Sequence, residues 1–174
     1  MSSPSVATLR HADPSDVPAI LELIHELAAY EREPDAVKNT VESLTGQLFG
    51  DHPAIFAHVL EDAGSDGSPR VMGFALWFLN YSTWEGTHGI YLEDLYVRPE
   101  ARGRGYGKAL LEELARIAVE RGYARVEWAV LKWNEPSIGF YRSLGAVPLE
   151  EWDTFRLTGD ALARFGAAAL GEAG

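Results

Sequence analysis

Three glycines alternate with other residues in the segment Arg102–Gly107, directly before a predicted helix. Because Gly103, Gly105 and Gly107 carry no Cβ, the backbone can curl there and direct successive N–H groups into one concave surface. The helix that starts at this turn adds its dipole, equivalent to about half a positive charge, at the same point. Such a turn binds anions, and we expect a pyrophosphate.

The charge around this turn is opposite to that of the whole chain. The 174 residues include 15 Lys and Arg against 26 Asp and Glu, which gives a formal net charge of -11. Between residues 98 and 108, Glu100 is outnumbered by four basic residues, which are Arg98, Arg102, Arg104 and Lys108. A local excess of positive charge in an acidic chain favours a phosphate-bearing ligand.

Other phosphate-binding motifs fit this turn poorly. A P-loop needs a glycine where Arg102 stands and a hydroxyl residue where Ala109 stands. A dinucleotide fingerprint needs a glycine at Lys108 and a βαβ unit at the start of the sheet. Here three predicted antiparallel strands come first. A glycine-rich helix start that binds no ligand remains an alternative.

Two adjacent carboxylates lie in the apolar segment Ile90–Val97, shortly before the glycine turn. They are Glu93, a candidate general base, and Asp94, its alternative. Regular strand alternation predicts that Tyr91, Glu93 and Leu95 share one face and that Leu92, Asp94 and Tyr96 share the other. A solvated acid at a strand edge is the competing interpretation of Glu93.

Hydrophobic periodicity predicts a mixed α/β domain around these residues. A strand over Val6–Arg10 is followed by two helices, which begin near Asp13 and Asn39 and end near Tyr30 and Leu48. Three consecutive antiparallel strands are then predicted over residues 55–60, 71–81 and 90–97. A helix over 109–121 and a strand over 126–131 complete a parallel crossover.

The C-terminal part is predicted to add a helix and one more strand. Asn134 opens the helix, Gly145 ends it in a left-handed conformation, and Phe155–Leu157 forms the final strand. We expect one domain over residues 5–160. The Ala-rich tail, residues 161–174, is expected to be a frayed helix or disordered.

Composition excludes several classes of protein. The chain has no cysteine, which rules out disulfides, thiolate metal sites and a cysteine nucleophile. It has neither an apolar run of membrane-spanning length nor a signal-peptide pattern, so a cytoplasmic protein is expected. The net negative charge disfavours nucleic acid and anionic membranes as partners and favours cationic ones.

The segment from Val97 to Gly107 resembles the coenzyme A loop of the GNAT N-acetyltransferase superfamily. Its pattern, Arg/Gln-x-x-Gly-x-Gly/Ala, is met by Arg102, Gly105 and Gly107. The resemblance implies a splayed mixed sheet and acetyl-CoA as co-substrate, with no metal. It also implies that backbone N–H groups of the turn, with Lys108 beside them, hold the pyrophosphate. The strand residues Leu95, Tyr96 and Val97 would then contact the pantetheine arm.

Four shorter segments of the sequence resemble the diamine (spermidine/spermine) acetyltransferase branch. They lie in the segments 27–31, 92–95, 133–137 and 140–141. This resemblance implies a homodimer, Glu93 as general base, Tyr141 as general acid beside the thioester sulfur, and cofactor contacts from Asn134 and Ser137. It also implies an acceptor groove lined by Tyr30, Glu31, Glu93, Asp94, Glu127, Trp128, Glu151 and Trp152.

The implied reaction requires a base. An alkyl amine with a pKa near 10.4 is almost fully protonated at pH 7, and its deprotonation costs roughly 4 to 5 kcal/mol. Lys132 stands where the polyamine enzymes carry an acid, so lysine-like acceptors and short diamines remain open beside polyamines. The alternatives are a GNAT enzyme for amino acids, aminoglycosides or protein N-termini, and a non-catalytic acyl-CoA sensor.

Overall fold

The computed structural model describes residues 7–64 and 67–171; the predicted strand residue Val6 lies outside these ranges. The chain divides into two compact units, one that ends at Leu131 and one that begins at Lys132. The described part of the first unit contains β1 (Thr8–His11), α1 (Val17–Tyr30), α2 (Val41–Phe49), β2 (Phe56–Ala63), β3 (Pro69–Ser82), β4 (Thr87–Val97), α3 (Tyr106–Glu120) and β5 (Val126–Trp128). The second contains α4 (Glu135–Ser143) and α5 (Gly159–Gly171).

The five strands form one mixed sheet in the order β1-β2-β3-β4-β5. Consecutive strands from β1 to β4 are antiparallel, whereas β4 and β5 are parallel. Helix α3 connects this parallel pair, because parallel neighbours need a crossover. The predicted mixed α/β sheet, antiparallel at first and parallel around the central helix, is therefore confirmed.

Helices α1 and α2 cover one face of the sheet. Val17, Ile20 and Leu23, on one side of α1, are fully buried in a cluster with Phe74 of β3 and Tyr96 of β4. Hydrophobic periodicity predicts Val17 and Ile20 on the core face of this helix, whereas Leu23 is buried in addition. Tyr96 is therefore fixed from both the strand and the helix side.

Helix α3 packs on the opposite face, at a position where β3 has no side chain. Gly73 adjoins Phe74, so the two residues face opposite sides of the sheet. A Cβ on Gly73 would lie 3.1 Å from Val97 Cγ2 and 3.6 Å from Leu110 Cδ1. The glycine thus allows α3 to approach the end of β4, where the glycine turn begins.

Strand β4 contains a β-bulge at the two candidate carboxylates. Trp77 pairs with Leu92 and the preceding Leu76 pairs with Asp94, so Glu93 is the extra residue. Since paired residues share a face, Leu92 and Asp94 lie on opposite faces. The predicted alternation across Glu93 is therefore wrong, because the bulge shifts the pattern by one residue. Asp94 faces the side covered by α1.

The bulge also separates the residues of the other predicted face, which are Tyr91, Glu93 and Leu95. Tyr91 pairs with Phe78, and Leu95 pairs with Ala75, which belongs to the opposite face of β3. Tyr91, Glu93 and Leu95 consequently do not form one face. A period-2 pattern cannot reveal a bulge, because the bulge depends on pairing with a neighbouring strand.

Two predicted strands differ from the structure. The segment Phe155–Leu157 is irregular, and Phe155 is 93% exposed. Strand β5 ends at Trp128 instead of Leu131. In both places an apolar run has strand propensity, but no pairing with another strand is present among the described residues, and a strand is stable only when paired. The prediction of a final strand is therefore wrong.

In the second unit, the two ends of α4 agree with the predicted helix caps. Asn134 accepts a hydrogen bond from the Ser137 backbone N–H at 3.4 Å at the start of α4. Gly145, with φ 86°, follows the helix in the left-handed conformation. Helix α5 spans most of the Ala-rich tail, and residues 172–174 lie outside the described ranges. No helix in the described ranges is both long and apolar enough to cross a membrane.

Arg98 attaches the end of β4 to α1. Its side chain is only 4% exposed and donates to the Val71 carbonyl oxygen, to Glu26 and to Glu22. From the sequence, Arg98 is one of the four basic residues expected around the glycine turn. The structure places it in the interior instead, because two carboxylates of α1 neutralise it there.

We expect Arg98→Ala to lower the free energy of unfolding by about 3 kcal/mol, because it leaves Glu26 and the Val71 carbonyl without their buried partner. Urea unfolding at pH 7 measures this loss. The matched control is Arg70→Ala, which removes a half-exposed arginine paired with Glu22 and Glu100 and should cost less than about 1 kcal/mol. Equal losses in the two variants would contradict the role given to Arg98.

Candidate active site

The glycine turn has the backbone geometry of an anion site. Gly103 and Gly105 have φ angles of 78° and 81°, in the left-handed region that favours glycine. Gly105 is the N-cap of α3, and no side chain among the described residues caps this helix. The first N–H groups of α3 have no intrahelical acceptor, so they can bind an anion at the positive end of the helix dipole.

Most of the basic side chains near the turn are already paired. Besides Arg98, Arg104 forms a 2.9 Å salt bridge with Asp62, and Lys108 forms one of 2.6 Å with Glu112. Backbone N–H groups, more than free side-chain cations, are therefore what the turn offers to a phosphate. The sequence predicted a strong positive patch because it could not show these acidic partners.

Arg102 connects the turn to the strand and to helix α1. Its Nε donates to the Val97 carbonyl oxygen at 3.0 Å. Its guanidinium lies 5.3 Å from the ring centroid of Tyr30 and 5.5 Å from that of Tyr96, which is cation–π distance. Tyr30, the last residue of α1 and a predicted acceptor contact, is thus close to the first residue of the turn.

Three carboxylates gather where β4 bulges and α1 ends. Burial, with the nearby charges of Glu93 and Glu31, raises the pKa of Asp94 to about 6. Burial also raises the pKa of Glu31, the residue that follows α1. None of the three forms a salt bridge with any residue of the described ranges. Such a cluster attracts a cation, because a positive charge would relieve its repulsion.

Residues 18–146 match the model of the acetyltransferase (GNAT) family. The chain belongs to this family. It is 40% identical over 160 residues to thialysine N-epsilon-acetyltransferase of Bos taurus, a match that covers 88% of this chain and 94% of the relative. It is 36% identical over 159 residues to human spermidine/spermine N(1)-acetyltransferase-like protein 1, covering 88% of this chain and 23% of that protein.

A solved structure supports the fold. An integron cassette protein from the mobile metagenome of V. cholerae superposes with a TM-score of 0.76 at 24% identity, over 92% of this chain and 97% of that one. The predicted GNAT membership and the resemblance to the diamine acetyltransferase branch are confirmed. The protein is an N-acetyltransferase, and GNAT acetyltransferases use acetyl-CoA as co-substrate.

The predicted pantetheine contacts of this GNAT enzyme lie on both faces of β4. The side chain of Tyr96 is buried toward α1, where its hydroxyl donates to Glu26; burial and the charge of Glu26 raise the pKa of Tyr96. Leu95 and Val97 are half-buried on the α3 face. A contact of all three with the cofactor would therefore use the backbone of the strand. Sequence reasoning missed Glu26, which no motif distinguishes from the other acids of α1.

Glu127 differs from the other predicted acceptor carboxylates because it already has partners. Asn80 Nδ2 donates to it at 2.8 Å, and Arg125 Nε lies 3.0 Å away. It belongs to β5 directly beside Tyr91, whose pKa is raised by burial and by the charges of Glu93 and Glu127. A cation at Glu127 would compete with Arg125. The neighbouring Trp128 is half-buried.

The remaining predicted site residues belong to the second unit. Tyr141 is half-buried on α4, and its ring centroid lies 5.5 Å from that of Phe140. Asn134 is 7% exposed, whereas Trp152 is 69% exposed and Glu151 is exposed beside it. The roles of these residues, and of Ser137 after the Asn134 cap, stay predictions.

Proposed function

We propose that this GNAT enzyme transfers the acetyl group of acetyl-CoA to a primary amine of a small cationic acceptor, namely a diamine, a polyamine or a lysine-like amino acid. The observation that supports this proposal best is the cluster of Glu31, Glu93 and Asp94, where a half-buried carboxylate has a pKa raised to about 6. The names of the two relatives, which refer to thialysine and to spermidine and spermine, agree with this chemistry.

The three carboxylates have different roles toward an acceptor that carries two positive charges. Glu93 is exposed at the bulge, so it can take the proton of the reacting ammonium and pass it to water. Asp94 is half-buried, and Glu31, at the exposed end of α1, is close enough to act on its charge; together they hold the second positive charge of the acceptor. The neutral amine then attacks the thioester carbonyl directly in a ternary complex. A cysteinyl intermediate is impossible, since the chain has no cysteine.

The other proposed roles concern the co-substrate and the leaving group. The left-handed glycines and uncapped helix fit the pyrophosphate, which the N–H groups from Arg102 to Lys108 would bind. Tyr141 would donate its phenol proton to the departing thiolate. Asn134 and Ser137 would contact the pantetheine arm. Acceptor contacts from Tyr30, Glu127, Trp128, Glu151 and Trp152 belong to the same proposal.

Steady-state thiol release from acetyl-CoA with a panel of amines tests this function. The panel contains 1,4-diaminobutane, spermidine, L-lysine, thialysine, an aminoglycoside and a peptide N-terminus. We expect kcat/KM for at least one of the first four to exceed that for the last two by about 100-fold, the scale of one buried charge interaction. Activity confined to the aminoglycoside or the peptide would refute the proposal. Coenzyme A binding without acetylation of any amine would indicate a sensor.

We further propose that the enzyme is a homodimer. Five large apolar side chains in the irregular segment between α4 and α5 are exposed to solvent, and they are Val147, Leu149, Trp152, Phe155 and Leu157. Apolar side chains concentrated in one segment mark contact surfaces. Light scattering at micromolar concentration should give twice the 19.1 kDa chain mass. Phe155→Ser should shift the protein toward 19.1 kDa; a monomeric wild type would contradict the proposal.

A further inference from the structure

A buried carboxylate outside the predicted site holds the glycine turn. Asp62, near the end of β2, is only 6% exposed. Its Oδ2 accepts hydrogen bonds from Arg104 Nη1 at 2.9 Å and from the Tyr106 hydroxyl at 2.5 Å. Its Oδ1 accepts from the Ala63 backbone N–H at 2.7 Å. Both oxygens are thus bonded, and Arg104 and Tyr106 belong to the turn.

The two donors from the turn lie on either side of Gly105. Arg104 precedes this glycine and Tyr106 follows it, so a single carboxylate oxygen fixes the residues that flank its left-handed φ of 81°. Glycine visits many backbone conformations when nothing restrains it. A concave row of N–H groups requires this one conformation. The tether from Asp62 therefore selects the backbone shape that a pyrophosphate needs.

We propose that Asp62 is a positioning residue for the co-substrate: it pre-orders the Arg104–Tyr106 turn so that its N–H groups are aligned before coenzyme A arrives. This inference rests on the proposed function of the turn. A carboxylate close to a phosphate site would repel the ligand by its charge alone. Arg104 offsets that charge through its salt bridge. The ordering of the turn by Asp62 therefore affects coenzyme A affinity more than the charge of Asp62 does.

Coenzyme A binding by isothermal titration calorimetry, on the full-length protein without acceptor, tests the inference. We expect Asp62→Ala, which removes both bonds to the turn, to weaken coenzyme A binding about 10-fold. Asp62→Asn keeps an oxygen that can accept from Tyr106, so it should weaken coenzyme A binding by only about 3-fold. Tyr106→Phe removes one hydrogen bond to Asp62 and should also weaken coenzyme A binding by about 3-fold. The KM for the amine should stay near the wild-type value in all three variants.

Glu100→Gln is the matched control. It removes a negative charge just before the turn, paired with Arg70 and outside the tether, and should leave coenzyme A affinity unchanged within about 2-fold. A second readout needs no ligand: hydrogen exchange of the backbone amides from Gly103 to Lys108 should accelerate in Asp62→Ala and stay unchanged in Glu100→Gln. Circular dichroism of each variant confirms that it is folded.

The outcomes separate the inference from the proposed function. Wild-type affinity and wild-type exchange in the folded Asp62 variants would overturn the positioning role and leave the acetyltransferase proposal intact. Tighter coenzyme A binding in Asp62→Asn would also overturn it, because the carboxylate would then act by masking Arg104. A wild-type protein that binds no coenzyme A would overturn both.

Discussion

Asp94→Asn should lower kcat/KM for 1,4-diaminobutane by about 100-fold or more, because it removes a desolvated charge that holds the second ammonium. The same variant should alter kcat/KM for n-butylamine, which lacks a second ammonium, by less than about 5-fold. Steady-state kinetics with both amines at pH 8 measures the difference. An equal loss for the two acceptors would show that Asp94 does not select the dication.

The same substitution should also stabilise the protein. The pKa of Asp94 rises from an ordinary value of 3.8 to about 6 in the fold, so its ionisation destabilises the folded state. This cost is small near pH 4, grows as pH rises toward 6 and stays constant above. Asparagine cannot ionise, and we expect Asp94→Asn to gain about 2 kcal/mol at pH 7 and almost nothing at pH 4.

Urea unfolding of the wild type and the variant at pH 4 and pH 7 measures this gain. Glu93→Gln is the matched control, since Glu93 is exposed at the bulge and its replacement should add less stability. A gain in stability together with a loss of activity is typical of a site that holds unfavourable charges for function. Asp94→Asn that is less stable than wild type at pH 7 would contradict the unpaired state of this carboxylate.

Tyr141→Phe should lower kcat by about 100-fold, because the thiolate would leave without a proton donor. The phenylalanine keeps the ring on α4, so coenzyme A affinity should stay within about 2-fold of the wild type. Thiol release under saturating substrates and titration with coenzyme A measure the two quantities. The expected split between kcat and affinity distinguishes a proton donor from a residue that only packs.

Tyr81→Phe is the control for the loss of a phenol. Tyr81 is 56% exposed near the turn between β3 and β4 and has no proposed role in the reaction. Its substitution should leave kcat unchanged. A wild-type kcat in Tyr141→Phe would assign the proton donor to another group, and a parallel loss of coenzyme A affinity would assign Tyr141 a binding role instead.

The parts of the fold that follow from local pattern could be predicted from sequence. The apolar face of α1, the cap at Asn134 and the strand-helix-strand crossover each depend on residues close together in the chain. The glycine turn could be predicted for the same reason, because its pattern lies within six consecutive residues. Gly103 and Gly105 adopt the left-handed conformation that their alternation indicates.

What could not be predicted depends on pairing between distant segments. The bulge at Glu93 exists only in the register between β3 and β4, and it moves Asp94 to the face of α1. The partners of the basic residues come from elsewhere: Glu26 for Arg98 and Asp62 for Arg104. The segment Phe155–Leu157 has strand propensity, but among the described residues it pairs with no strand.

The central claim is that acetyl-CoA and a dicationic amine react at a site built from the glycine turn and the acidic cluster. The most direct test is mass spectrometry of the products from an equimolar mixture of 1,4-diaminobutane and n-butylamine with limiting acetyl-CoA. Wild-type protein should form N-acetyl-1,4-diaminobutane almost exclusively, and Asp94→Asn should form comparable amounts of both products. Equal acetylation of the two amines by wild-type protein would contradict the account.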